Sequence, residues 1–179
     1  MIRSLFVTIA VGTLMTVVSL TAHAANPATF VVTVSIAAEA NIEVVQGGPI
    51  DFGVMRTGAS AVSSSAIVIK NSGSGANQTY SLALTNPAGW TAVTATPGVD
   101  QYRLSCAFDS DGNVTWNPAN HALTTSSIAS TTTRFAGDET GTGVPYNAIR
   151  HLYLKMETPS STSSPSKKSI QVTISASVD

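Results

Sequence analysis

Cysteine is nearly absent from this 179-residue chain, which has only Cys106. One thiol excludes an intrachain disulfide, so the fold must rest on packing and backbone pairing. Charge is scarce as well, at 11% of residues against a usual figure of about 25%. Nine basic and ten acidic side chains leave a formal net charge of −1, and Lys167-Lys168 is the only adjacent basic pair. Nothing in that balance attracts phosphate backbones or anionic lipid over distance, so nucleic acid is not an expected partner. Amphipathic helical periodicity is missing beyond about two turns. Beyond the first 24 residues, no apolar run is long enough to cross a bilayer, so no membrane insertion is expected there.

What is present begins with an export signal. Arg3 gives a small positive region, Leu5 to Leu20 holds an uncharged, largely apolar stretch, and Ala22-His23-Ala24 supplies a small-x-small cleavage pattern. Residues 1–24 are therefore expected to be removed, leaving 155 residues from Ala25 and an exported protein of the periplasm, cell surface or medium. Eight basic and ten acidic side chains would then remain.

Alternation of period two dominates the rest, with many Val, Ile and Thr residues suited to half-buried strands. Phe30, Val32, Val34 and Ile36 alternate with Val31, Thr33 and Ser35 in a first strand. Further strands are expected at Asn41–Val45, Ile50–Val54, Ala66–Lys70, Thr79–Thr85, Trp90–Thr94, Gln101–Asp109, Val114–Trp116 and Arg150–Glu157. A last one carries Ile170, Val172, Ile174, Ala176 and Val178 on one face. Gly, Pro and Asn clusters separate them. Pro159–Pro165 reads as a hairpin connection, and residues 117–147 as an irregular surface excursion with room for a short strand or helix. The expected fold is all-β: an antiparallel, immunoglobulin-like two-sheet sandwich of eight or nine strands, forming one domain over residues 25–179. The C-terminal strand should belong to a sheet, because its five apolar positions would otherwise expose an aggregation-prone edge.

No catalytic signature emerges. Serines are abundant but none sits in a nucleophile-elbow pattern, and Asp138-Glu139 are loop neighbours that should point apart rather than form a hydrolytic pair. A non-enzymatic protein without cofactor is expected. Cys106 shares its alternate face with Tyr102, Leu104 and Phe108 and reads as a small core residue. Asp109-Ser110-Asp111-Gly112-Asn113 resembles the opening of a calcium loop, but the Glu that completes such a loop is missing. A polar turn is the plainer reading of Asp109 and Asp111. His121 and His151 have no second ligand at zinc spacing and read as surface histidines. Trp90, Trp116 and Tyr146 offer aromatic faces of the kind that stack on sugars, although packing over the end of a core is the simpler role for a Trp.

Pro49-Ile50-Asp51-Phe52-Gly53-Val54, followed by Gly58, is similar to the apolar-Asp-Phe-Gly strand of several bacterial immunoglobulin-like surface domains. These include spore-coat-U-like and Csu-type pilus subunits. Phe30–Val45 also resembles the N-terminal region of those subunits, whereas their stapling cysteines are absent here. The resemblance implies that an N-terminal strand completes the sandwich of a neighbouring subunit.

The leading expectation is an exported structural or adhesive cell-surface domain, of filament-subunit type, whose partners are copies of itself or other envelope proteins joined by strand pairing. Phe30, Val32, Val34 and Ile36 form the assembly strand, either as the domain's own first strand or as one given to a neighbour. The alternative is a secreted carbohydrate- or ligand-binding module, with a glycan held by Trp116 and Tyr146 on the 117–147 excursion.

Overall fold

The computed structural model describes residues 33–34 and 37–179. The chain divides into two units, Met1–Ser35 and Ile36–Asp179. Among the described residues no helix is long and apolar enough to cross a membrane.

The second unit is a sandwich of two sheets with nine strands: β1 (Ile42–Gln46), β2 (Ser60–Val62), β3 (Ile67–Asn71), β4 (Gln78–Thr85), β5 (Thr91–Ala92), β6 (Gln101–Phe108), β7 (Ile128–Ala129), β8 (Ile149–Glu157) and β9 (Gln171–Val178). One short helix, α1 (Pro118–His121), lies between β6 and β7. The larger sheet runs β1-β3-β8-β6-β5, with β2 also on β8, and the smaller runs β7-β4-β9. All pairings are antiparallel except β5 with β6.

β8 organises the larger sheet. β6 occupies one of its edges, and β2 and β3 lie end to end along the other. Buried Ser63 fills the gap between them: its N–H donates to the Leu154 carbonyl at 2.8 Å and its hydroxyl accepts the Leu154 N–H at 3.1 Å. Alternate residues of three strands then meet in the core, with Tyr80, Leu82 and Leu84 from β4, Tyr102, Leu104, Cys106 and Phe108 from β6, and Leu152, Leu154 and Met156 from β8. Tyr80 and Phe108 pack across it, ring centroids 5.9 Å apart. Cys106 is buried as the alternation predicts, and that burial pushes its thiol pKa well up, leaving a neutral core side chain.

Four local expectations change. Ile50–Val54 forms no strand, because Gly53 takes a φ of 66° and its N–H bonds Asp51 Oδ1 at 2.8 Å, closing a local turn in place of a ladder. Val114–Trp116 forms none either: one edge of β6 is taken by β8, and the other by β5, Ala122 and Ala136. The 158–170 link is not a hairpin. Both edges of β8 are full, so the chain crosses to the smaller sheet and pairs β9 with β4. Finally, His121 is no surface residue; it is only 4% exposed. The 117–147 excursion does hold a helix and a short strand, α1 and β7.

Candidate functional site

The two flanks of the sandwich are built differently. On the flank where β6 faces β7, residues 122–124 bridge the sheets. The Leu123 N–H donates to Leu104 O on β6 at 2.8 Å, and the Leu84 N–H on β4 donates to Thr124 O at 2.9 Å. Leu123, Phe135 and Val144 of the excursion are buried there in the core cluster.

The opposite flank ends in β1 on one sheet and β9 on the other. β9 forms for plain reasons: eight residues without Gly or Pro, with Val172, Ile174, Ala176 and Val178 alternating against Thr and Ser. Its register on β4 is unbroken, from Gln78 opposite Val178 to Thr85 opposite Gln171. The end is pinned by the Asp179 N–H on Asn77 O at 3.1 Å and by the Thr79 hydroxyl on Asp179 Oδ1 at 2.6 Å. Beyond that pairing, no strand among the described residues takes the outer edge of β9.

Side-chain cover fails at the same place. On β4 the inward Tyr80 and Leu82 are 0% exposed, while their partners Ala176 and Ile174 on β9 are only half-buried. Ile170, Val172, Ile174 and Ala176 lie against the core without being closed over, as do Ile42, Ile50, Phe52, Met55 and Ile67. At the other ends of the sheets, Ala92 of β5 and Ile128 of β7 are also only partly buried. Val44 and Val45 of β1 are exposed. The result is an apolar strip along an unpaired eight-residue edge, a ready template for one more strand.

Of the expected assembly residues, Val34 lies in no strand and is 77% exposed. Phe30, Val32 and Ile36 lie outside the described residues. Trp116 and Tyr146 take different places. Trp116 is half-buried and meets the His121 ring edge-on at 5.7 Å, whereas Tyr146 is 50% exposed and belongs to no aromatic pair. Trp90 packs on Tyr102 at 6.1 Å, and its indole N–H donates to Thr162 Oγ1 at 2.9 Å.

The acidic turn has its own partners. Buried Asp109 accepts the Gly112 N–H at 2.7 Å, with longer bonds from the Asp111 and Asp138 N–H groups. The Asp111 carboxylate accepts from Asn113, which holds its pKa below the ordinary value. Asp138 is likewise held low by the Ser110 hydroxyl and N–H. Among the described residues no three metal-ligating side chains form a group that could hold an ion. Glu139 turns away from Asp138 to accept the His151 N–H at 2.7 Å.

Sequence reasoning missed two things here. It read the five apolar positions of the last strand but not their half-covered state, which depends on which strand claims each edge. It also missed the capped start of α1, for which a signal existed: Asn117-Pro118 is a favoured cap followed by proline at the first helical position. Comparison with protein-family models, curated protein sequences and solved structures finds no match.

Proposed function

We propose that the protein is an exported structural subunit that assembles with copies of itself by strand pairing. The acceptor is the outer edge of β9, and the donor is the alternating segment Phe30–Ile36 of another copy. One observation carries this reading: the inward face of β9 is apolar yet only partly covered along the full length of an edge that no described strand takes. An added strand would bond the free backbone groups of β9 and lay every second side chain over Val172, Ile174 and Ala176.

The donor has the matching period, four apolar residues at alternate positions, and all of it but Ile36 precedes the sandwich unit. Donor and acceptor are different parts of one chain, so each contact is heterologous and repeats head to tail. Unless the rotation closes, such contacts grow an open filament. The residues noted as similar to pilus subunits agree with this reading, and the export signal at residues 1–24 would deliver the chain to where such filaments form.

The test is sedimentation of the chain from Ala25 over a wide concentration range. Concentration-dependent oligomers are expected. Deleting residues 25–37, or substituting Ile174→Asp on the acceptor face, should each leave a folded monomer. A wild type that stays monomeric throughout while fully folded would sink the proposal.

A further inference from the structure

A histidine is one of the fastenings of the excursion that seals the β6 flank, beside the Phe135 N–H on Asn120 O at 3.1 Å and the Arg134 guanidinium on the Ala119 and Ala122 carbonyls. His121 closes α1 and is only 4% exposed. Its Nδ1 accepts the Asn117 N–H at 3.1 Å, and its Nε2 faces the Ala136 carbonyl at 3.1 Å. A backbone N–H can only donate and a carbonyl can only accept. The two contacts therefore require the neutral ring with its proton on Nε2. This one side chain ties the start of α1 to residue 136 and so spans the segment that carries Leu123 and Phe135.

Adding a proton to Nδ1 would set N–H against N–H at the start of α1. The surroundings would not welcome the charge. Arg134 is the charged group acting on the ring, and its guanidinium binds the Ala119 and Ala122 carbonyls of the same turn. Among the described residues no carboxylate lies within ion-pair distance of His121. Asp109, just after β6, and Asp138, in the adjoining 136–138 segment, are occupied by the N–H and hydroxyl groups already described. From β6 the nearby titratable group is the neutral Cys106 thiol. The Trp116 ring supplies the remaining face.

We propose that residues 117–136 are an acid-released latch, in which protonation of His121 parts Asn117 from Ala136 and uncovers the apolar seam under Leu123 and Phe135. The proposal stands apart from strand pairing, because it concerns the other flank. Its direction follows from linkage. Burial, the largest influence, holds the His121 pKa below its ordinary value, with Arg134 adding to the effect and the Ala136 bond opposing it. The opened segment thus binds the proton more readily than the closed one. Closure is complete above about pH 6.5, the free-histidine value, and is lost progressively as pH falls towards the closed-state value.

Hydrogen exchange on the wild-type protein tests this without a variant. After correction for intrinsic rates, the Leu123 and Phe135 amides should exchange about tenfold faster for each unit by which the two pKa values differ. The Leu82 amide in the core should not follow. In a Trp90→Phe background, Trp116 emission should change over the same pH range, and His121→Gln should abolish that change while His151→Gln leaves it intact. Protection at Leu123 and Phe135 that stays flat down to about pH 4.5, two units below the free-histidine value, would overturn the latch. So would an emission change that survives His121→Gln.

Discussion

The two flanks of this sandwich share their central strands and differ in how they are closed. On one, a 31-residue excursion folds back, spans both sheets and buries Leu123, Phe135 and Val144. That side even holds Phe135 at a φ of 58°, a conformation costing about 1–3 kcal/mol for a non-glycine residue. The burial and hydrogen bonds around it must outweigh that strain: its N–H bonds Asn120 O at 3.1 Å and its carbonyl accepts the Phe108 N–H at 2.8 Å. On the other flank Ile50, Phe52 and Met55 lie against the core without closing it, and β9 ends the sheet with its apolar face partly covered. A chain with one cysteine and little charge can seal a sandwich edge by itself, and among the described residues it does so more fully on one side than on the other. Open cover on the second side is the feature on which the proposed strand pairing rests.

The largest effects should come from the sealed side. Phe135→Ala removes a fully buried ring and should lower the stability of the sandwich by about 3–5 kcal/mol, read from the denaturant midpoint of the monomeric chain lacking residues 25–37. Ile174→Ala on the open side should lower it by only about 1–2 kcal/mol, because that side chain is already partly open to water. In the full chain from Ala25 the order should tighten or reverse, since an added strand would bury Ile174 completely. Equal losses in the monomer would mean that the open flank is covered after all. Asp109→Ala falls between these two, at about 2–3 kcal/mol. It strips a buried carboxylate from three backbone N–H groups and loosens the join between the 109–113 turn and residue 138.

Much of this architecture is legible in the residues. β4, β6, β8 and β9 announce themselves by alternation, and Cys106 falls inward as its neighbours require. Alternation reports which side of a strand is apolar, not which strand lies beside it. That is why Pro159–Pro165 reads as a hairpin until β8 is seen with both edges filled. β2, three residues long, is too short to leave a period at all. The half-open face of β9 is hidden for the same reason as the false hairpin: cover comes from distant segments. His121 escapes because no sequence pattern distinguishes a histidine held by two backbone groups from one in water.

The smallest informative change is Asn117→Ala. It removes the side-chain Oδ1 that accepts the Ala119 N–H at 3.0 Å but leaves the Asn117 backbone N–H free to donate to His121. Loss of a cap of this kind costs about 1 kcal/mol, with no effect expected on the open flank. The unfastened start of α1 should shift the latch equilibrium towards the open form at every pH, so Leu123 exchanges about fivefold faster even where His121 is neutral. Strand-mediated assembly through β9 should be unchanged, since β9 and α1 lie on opposite flanks. If Asn117→Ala instead weakened assembly while leaving Leu123 protected, the two flanks would be coupled, and independent closure of each side would be the wrong description of this fold.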